Sequence, residues 1–496
     1  MTCSRDSVLA VVLATCLAAP WGVAWAQPQA AKKASKHPPA PTAAKPESPS
    51  ADVGQLPPDV LAALLRAKVP REALHVVVLD TALGSPARLS WSAHTQVNPA
   101  SLMKLVTTTA ALDLLSPAFV WRTPVYVDGV VRDGTLQGHV YLRGSGDPRL
   151  VVERLWLLLR RVQSLGIQRI QGDIVLDHSA FDLAPRDAGG FDGEPLRPYN
   201  AAPDALLLNF KSLLIQFVPD RAAQVARVHM EPPLAGVQLP ASVPLSGEAC
   251  TDYRASLKAD WSDPSRIQFG GNFPAACGEK IWPVAYSAPT QFAARAVLGM
   301  WQHLGGQLMG TVRDGVVPAK LQPAFSVESA ALSETIRDIN KFSNNVMAQQ
   351  LFLTLSQQQR GVGSLDASRD VVQSWWRDRV GGEAPVLDNG SGLSREERIT
   401  AHSLGRLLQV AWASPGMSEL MSSLPITGLD GTLKRSKAQA VAHLKTGSLR
   451  DVAGMAGYVD TASGKRWVLV AILNHPNAHA ARPALDALVE WAAQTP

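Results

Sequence analysis

Strand-like segments stand near both ends of this 496-residue chain, and helical segments accompany them. On the N-terminal side, the pattern predicts a helix over residues 60–65 and a two-stranded hairpin over 75–91. On the C-terminal side, it predicts strands over 452–459 and 467–473 and a helix over 483–493. Helices beside strands at both ends predict an α+β fold, with one sheet assembled from both ends of the chain.

A long excursion separates these two ends. Residues 125–142 alternate apolar runs with Asp-Gly turns, which predicts antiparallel strands. A helix over 153–164 and a strand over 168–177 should follow. Residues 205–318 mix strand-like pieces, such as 206–218, with many prolines, and helical periodicity then returns from residue 332.

Composition indicates a globular protein with a sizeable core. Hydrophobic residues make up 46% of the chain and the mean hydropathy is close to zero, so two to four domains are expected. The formal net charge of +5 is small for this length. We therefore expect no nucleic-acid partner.

The first 26 residues have the form of a secretory signal peptide. Arg5 precedes an apolar run over 8–19, and Ala24-Trp25-Ala26 matches the small-x-small pattern of a cleavage site. The alternative is an uncleaved membrane anchor, but the run is shorter than the ~20 residues that span a bilayer. We expect export to the periplasm with cleavage before Gln27, followed by a flexible Ala/Pro/Lys-rich linker over 27–55.

Removal of the signal peptide leaves two cysteines, Cys250 and Cys277. In an oxidising compartment they can form a disulfide, which would stabilise the fold by roughly 3 kcal/mol. The alternative is a pair of unconnected thiols. No His or further Cys lies at metal-ligand spacing, so we expect no zinc and no other cofactor.

The first motif that carries chemistry is Ser101-Leu102-Met103-Lys104. Pro99 disfavours helix before it, so Ser101 should lie near the start of a helix over 105–115, where residues three apart share one face. The Lys104 amine would then stand beside the Ser101 hydroxyl and could act as its base, if burial or a nearby cation lowers the lysine pKa. The alternative is a serine near a helix start with a surface lysine, because a chain this long can match Ser-x-x-Lys by chance.

Two further motifs occur once each. Ser343-Asn344-Asn345 precedes a helical run and offers a hydroxyl to relay a proton and an amide to hold a substrate backbone; an ordinary helix cap is the alternative. Lys445-Thr446-Gly447 precedes the last strands. Its cation and hydroxyl can hold a carboxylate, and its glycine lets substrate lie along the strand edge; a solvated strand end is the alternative. The order of the three motifs favours an active site.

Four more stretches belong with these motifs: Asn98-Pro99-Ala100-Ser101, Gly144-Ser145-Gly146-Asp147-Pro148, Asn389-Gly390-Ser391-Gly392-Leu393-Ser394-Arg395, and Leu424-Pro425 with Gly428-Leu429-Asp430-Gly431-Thr432. Together they resemble the class C low-molecular-mass penicillin-binding proteins, the D-alanyl-D-alanine carboxypeptidase/endopeptidase family also described as the penicillin-binding protein 4 type. Ser343 follows Ser101 by 242 residues. Class A β-lactamases and simpler carboxypeptidases place these two elements much closer together.

The resemblance implies an architecture. A penicillin-binding/serine β-lactamase-like catalytic domain, with an antiparallel sheet flanked by helices, would occupy 57–120 and 319–496. Two smaller β-rich inserted domains would occupy 121–318.

The resemblance also implies roles for the motif residues. Ser101 would be acylated, Lys104 would accept its proton, and Ser343 would pass a proton to the leaving D-alanine. Asn345 would position the substrate. The substrate carboxylate would lie at Lys445, whose cation would also help to lower the pKa of Lys104.

The resemblance implies two further roles, which involve the residues next to Lys445. Thr446 would share the substrate carboxylate, and the N–H groups of Ser101 and Ser448 would form an oxyanion hole. The second motif reads Ser-Asn-Asn where Ser-Asp-Asn is commoner. Because Asn344, its middle residue, has no essential role in this scheme, the departure is minor.

The implied substrates are peptidoglycan stem peptides that end in D-Ala-D-Ala or are cross-linked, with β-lactam antibiotics as covalent inhibitors. Peripheral association with the membrane or the cell-wall machinery is a further expectation.

A serine β-lactamase is disfavoured by the long insertion and by the lack of a Glu-x-x-x-Asn element between the first two motifs. A non-catalytic peptidoglycan-binding protein is disfavoured by the intact motifs. Carboxypeptidase and endopeptidase leave the same acyl group on serine, so the sequence does not separate them.

Overall fold

The computed structural model of the chain describes residues 52–494. The predicted signal peptide (1–26) lies outside the described residues, and so does the predicted linker except for residues 52–55. Val53 forms a β-bridge with Ser90, so contact with the main domain begins before Pro57. No helix within 52–494 is long and apolar enough to cross a membrane.

The helices and strands of the described residues are numbered in chain order. The α-helices are α1 Pro58–Arg66, α2 Met103–Leu115, α3 Val152–Ser164, α4 Tyr253–Leu257, α5 Pro289–His303, α6 Leu332–Lys341, α7 Asn345–Arg360, α8 Leu365–Arg379, α9 Ala401–Trp412, α10 Met417–Ser423 and α11 Arg482–Ala493. The strands are β1 Leu74–Asp80, β2 Leu89–Trp91, β3 Arg122–Arg132, β4 Thr135–Arg143, β5 Arg169–Ile170, β6 Ile174–Asp177, β7 Ser212–Asp220, β8 Val225–Glu231, β9 Ser242–Ser246, β10 Ala259–Asp260, β11 Gln268–Phe269, β12 Phe273–Pro274, β13 Lys280–Ala285, β14 Gln307–Leu308, β15 Val312–Asp314, β16 Pro323–Glu328, β17 Ala442–Leu449, β18 Val452–Asp460 and β19 Arg466–Asn474.

The main sheet is built from both ends of the chain, as the sequence predicts. Its strand order is β17-β18-β19-β1-β2, and all neighbours are antiparallel. Because strand side chains alternate between faces, Val76 packs with α1 and α11 while Val77 packs with the helices of the opposite face. The sheet is therefore covered on both sides, and β17 forms one of its edges.

Helix α2 lies at the centre of the main domain. Every residue from 103 to 112 is buried, and apolar residues of α6, α7, α8 and α9 share a core with it. A helix surrounded in this way needs no polar face. Polar groups at its N-terminal end, including Lys104, are thereby taken out of water.

The inserted region contains two larger sheets. One has the order β14-β5-β4-β3-β16, with β6 on β4 and β15 on β6; the other has the order β12-β9-β8-β7-β13. Apolar residues of both sheets, such as Val125 and Phe217, belong to one continuous hydrophobic core together with α3 and α5. The two β-rich inserts are thus packed against each other.

The predicted return to the main domain at residue 319 is too early. Strand β16 pairs with β3, with Val327 opposite Thr123, and therefore belongs to the inserted region. The chain rejoins the main core at α6, where Leu332 is buried. A short apolar strand carries no local mark of the sheet that it joins, so the sequence pattern could not place this boundary.

Two predicted strands also differ from the structure. The strand over 206–218 begins only at Ser212, because Asn209, Phe210 and Lys211 have φ of 41°, 56° and 51° and form a left-handed turn. The strand over 168–177 is divided into β5 and β6. Cys250 and Cys277 are joined in a disulfide within the inserted region, as predicted.

Candidate active site

Ser101 lies in a 3-10 turn, Ala100–Leu102, that leads directly into α2. Two amide side chains hold this turn. Asn98 Oδ1 accepts the N–H of Ala100 at 2.8 Å, and Asn474 Oδ1 on β19 accepts the N–H of Asn98 at 3.1 Å. The turn is therefore fixed to the main sheet, and Ser101 stands at a helix start as predicted.

Lys104 lies one turn after Ser101 and is fully buried. Its Nζ is 2.9 Å from Ser101 Oγ and 2.7 Å from Asn345 Oδ1, and it is also in close contact with the carbonyl oxygen of Ser391. Burial lowers the pKa of Lys104 to about 7, against the opposing charge of Glu397. A neutral amine can donate its two N–H groups to Asn345 and Ser391 and keep its lone pair for the Ser101 proton.

Lys445 is the second buried lysine of the site. Its Nζ donates to Ser343 Oγ at 2.9 Å and to the carbonyl oxygen of Thr446 at 2.7 Å. Burial, and after it the charge of Lys104, hold the pKa of Lys445 well below its usual range. For Lys104, burial is the main cause of the lowered pKa.

The three residues of the second motif, Ser343-Asn344-Asn345, have different contacts. Asn344 is the N-cap of α7, and its side chain accepts the N–H of Met347 at 3.0 Å. Ser343 has φ of 56°, and its hydroxyl meets Lys445, while the Asn345 side chain meets Lys104. The helix-cap interpretation therefore holds for Asn344, and the two flanking residues are free to take part in the site.

Gly447 serves the site in a way that the sequence did not indicate. A β-carbon at this position would lie 2.6 Å from the carbonyl oxygen of Pro99 and 3.0 Å from Leu102 Cγ. The glycine therefore lets strand β17 pack closely against the turn that carries Ser101. Thr446 donates to Thr432 Oγ1 at 2.7 Å, and Ser448 is exposed at the strand edge.

A loop over residues 388–397 completes the surroundings of Lys104. The buried carboxylate of Glu397 accepts backbone N–H groups of residues 388, 389, 390 and 392, at 2.7–3.2 Å. Gly392 has φ of 80°, and a β-carbon there would lie 1.9 Å from the carbonyl oxygen of Ala100. The loop thus lies directly against the nucleophile turn and presents the Ser391 carbonyl to Lys104.

Sequence reasoning did not single out Glu397. Burial raises its pKa to about 7, which brings it into the same range as Lys104. The preceding stretch, residues 389–395, resembles the penicillin-binding protein family, but nothing in the local sequence pattern shows that a charged residue at position 397 is buried. Within the described range, no group of three or more His, Cys, Asp or Glu residues is arranged to hold a metal.

Residues 59–495 match the profile of the D-Ala-D-Ala carboxypeptidase 3 (S13) family. Over 420 residues, the chain is 30% identical to the D-alanyl-D-alanine carboxypeptidase of Actinomadura sp. (strain R39). The aligned region covers 79% of this chain and 76% of the relative. Over 390 residues, it is 25% identical to D-alanyl-D-alanine carboxypeptidase DacB of Haemophilus influenzae. This second alignment covers 76% of this chain and 80% of the relative.

Solved structures agree with these matches at the level of the fold. Penicillin-binding protein 4 of H. influenzae superposes with a TM-score of 0.69 at 22% identity, over 87% of this chain and 99% of that protein. The same protein in complex with a β-lactam gives a TM-score of 0.65. These solved structures therefore share the fold of this chain.

Proposed function

The chain belongs to the D-Ala-D-Ala carboxypeptidase 3 (S13) family, and on this basis we propose that it hydrolyses D-alanyl-D-alanine bonds of peptidoglycan stem peptides through an acyl-enzyme on Ser101. One observation carries the proposal: Lys104 Nζ lies 2.9 Å from Ser101 Oγ, and burial lowers the pKa of this lysine to about 7. A base with a pKa near the working pH suits proton transfer from a serine hydroxyl.

Acylation begins when neutral Lys104 takes the Ser101 proton while Oγ attacks the carbonyl carbon of the penultimate D-alanine. The tetrahedral intermediate carries its negative charge on the former carbonyl oxygen. We assign the stabilising donors to the backbone N–H groups of Ser101 and Ser448, which belong to two elements that Gly447 allows to pack together.

Breakdown of the intermediate requires a proton on the leaving nitrogen. Ser343 is suited to deliver it, because its hydroxyl is held by Lys445 at 2.9 Å at the edge of the site. As the C–N bond breaks, the amine leaves with the Ser343 proton. The proton held by Lys104 then passes to Ser343 Oγ and restores its hydroxyl. Water then attacks the ester, Lys104 accepts a proton from it, and Ser101 recovers its own.

Lys445 and Thr446 are the proposed contacts for the terminal carboxylate of the substrate. A carboxylate at Lys445 would favour the charged ammonium and so offset the cost of its burial. A β-lactam, which carries a carboxylate beside a reactive amide, would occupy the same positions and acylate Ser101. A cross-linked stem peptide differs from a free one only in the amine that leaves.

The disulfide supports a location outside the cytoplasm, because such bonds persist in oxidising compartments. We propose export through the signal peptide predicted over residues 1–26, which would bring the enzyme to the periplasm and to its peptidoglycan substrate.

Covalent labelling tests the proposal. Labelled penicillin should mark the wild type, whereas Ser101→Ala should remain unmarked and should fail to release D-alanine from a stem pentapeptide. Both proteins should show the same thermal unfolding midpoint. Equal labelling of the two would refute the nucleophile, and turnover of the drug within seconds would point to a β-lactamase instead.

A further inference from the structure

A cleft of about 940 Å³ runs from the Ser343 turn into the inserted region. Its lining includes residues 342–346 and, from the inserted region, Arg254, Trp261 and Trp282. Ligand pockets commonly measure about 300–1,000 Å³. The cleft therefore has room for much more of a substrate than the two D-alanine residues that react.

Two tryptophans form an aromatic part of the cleft lining. Trp282 lies on edge strand β13, and its ring is nearly perpendicular to that of Trp261, with centroids 5.4 Å apart and an interplanar angle of 85°. The Arg254 guanidinium lies 5.6 Å from the Trp282 centroid. Both indoles are only partly buried, so each keeps apolar ring surface open to a ligand.

A carboxylate also lines the cleft, on the face of the sheet opposite to Trp282. Pro283, Leu214 and Glu231 are cross-strand neighbours on β13, β7 and β8, and all three line the cleft. Among residues 52–494, neither Glu231 nor Arg254 forms an ion pair with another side chain. Glu231 is therefore available to a bound molecule, whereas Arg254 also donates its Nε–H to the Tyr253 hydroxyl at 3.3 Å.

A strained turn forms one wall of the cleft. Asn209 and Phe210 line the cleft and, with Lys211, adopt left-handed backbone angles that residues with a side chain rarely tolerate in succession. Phe210 packs against buried Val346, just after the second motif, and Lys211 forms an ion pair with Asp204 at 2.8 Å. The wall is thus fixed to the catalytic domain.

We propose that the Trp261–Trp282 part of the cleft is a saccharide-binding subsite that holds the sugar of the muropeptide whose stem reacts at Ser101, an inference that rests on the proposed function. A sugar ring presents an apolar face of C–H groups that can pack on an indole, and hydroxyls that can donate to the carboxylates of the cleft lining. A four-residue stem spans at most about 14 Å, so its sugar lies beyond the reacting bond but still close to it.

Charge favours a sugar over a second peptide as the occupant. The lining holds more carboxylates than guanidinium groups: Glu153, Glu194, Glu231 and Asp252 against Arg197 and Arg254. Arg197 is also paired with Glu194 at 3.3 Å. The carboxylates of a second stem peptide would add to this negative charge, whereas the neutral hydroxyl groups of a sugar would not.

A pair of substrates tests the subsite. The disaccharide pentapeptide and the same pentapeptide freed of its sugar share the reacting bond and differ only in the group assigned to the cleft. We expect a higher kcat/KM for the sugar-bearing substrate. Trp282→Ala should lower that value about tenfold, a typical loss for a buried aromatic contact, and leave the sugar-free substrate unchanged. Trp282→Phe, which keeps an aromatic face, should retain most of the preference.

The matched control is Ile281→Ala, on the same strand but outside the cleft lining and 51% exposed. This variant should change the kcat/KM of neither the sugar-bearing nor the sugar-free substrate. Titration of the Ser101→Ala protein with both compounds should show tighter binding of the sugar-bearing one, even if neither is hydrolysed. Equal binding of the two compounds, or equal losses on both substrates in Trp282→Ala, would overturn the subsite. Failure of the wild type to cleave either substrate would count against the proposed function alone.

Discussion

Lys445 Nζ lies 2.9 Å from Ser343 Oγ, although 102 residues separate the two along the chain. The lysine comes from edge strand β17 and the serine from the turn before α7. On the other side of the site, Lys104 meets Ser101 in the same way, also at 2.9 Å. The site thus holds two serine–lysine pairs, one suited to activate the nucleophile and one to deliver a proton to the leaving group.

Ser343→Ala should lower kcat/KM for a D-Ala-D-Ala pentapeptide about 10²- to 10³-fold, because the relay to the leaving nitrogen is lost. Release of D-alanine and penicillin labelling are the measurements. Asn344→Asp is the matched control. It restores the commoner residue of this motif, keeps the helix cap and should leave both rates unchanged. A Ser343→Ala enzyme of full activity would exclude the relay.

The rate of acylation by labelled penicillin should rise with pH, reach half of its maximum near the Lys104 pKa of about 7 and level off at higher pH. Burial lowers the pKa of Lys104, so the neutral amine that acts as base accumulates as the pH passes through that value. Lys104→Arg should be almost inactive at every pH, since a guanidinium does not lose its proton. A rate that is flat between pH 5.5 and 8.5 would contradict the assignment of the base.

Glu397→Gln should move this rise in rate to lower pH, because the Glu397 charge raises the pKa of Lys104. The variant should also lose about 1–3 kcal/mol of unfolding free energy, since the buried carboxylate accepts several loop N–H groups. Glu396→Gln makes the same chemical change on an exposed neighbour and should alter neither property. A shift of the profile to higher pH would show that the coupling has the opposite sign.

Gly447→Ala should slow acylation at least about tenfold, because a small displacement of a catalytic element is costly. The added β-carbon would collide with the Pro99 carbonyl oxygen and push β17 away from the Ser101 turn. Gly247→Ala is a suitable control, since nothing lies within 4 Å of the β-carbon position there. Unchanged labelling kinetics in Gly447→Ala would show that the close packing is not needed.

Replacement of both Cys250 and Cys277 by serine should cost about 3–4 kcal/mol of stability in the inserted region, given a separation of 27 residues. The thermal unfolding midpoint should fall in the variant, and reductant should lower it in the wild type alone. Penicillin labelling at Ser101 should persist at temperatures where both proteins are folded. A midpoint that does not respond to either change would mean that the bridge is absent in solution.

Much of the fold could be predicted from the sequence where the signal is local. The spacing of Ser101 and Lys104 places both on one side of a helix start, and strand periodicity near both ends predicts the main sheet. The boundary of the inserted region could not be predicted, because β16 has the same local pattern whether it pairs with the insert or with the main sheet. Pairing partners are chosen by the fold as a whole.

The chemical groups present, their order and the local geometry of the three motifs follow from the sequence alone, because backbone sterics act over a few residues. How these groups work together depends on the tertiary structure. It buried Lys104 and so lowered its pKa, and it brought the Ser391 carbonyl and Glu397 to its surroundings. It also gave Gly447 a role in packing β17 against the Ser101 turn. Burial and close approach between distant segments depend on how the whole chain packs, and no short stretch of sequence records them.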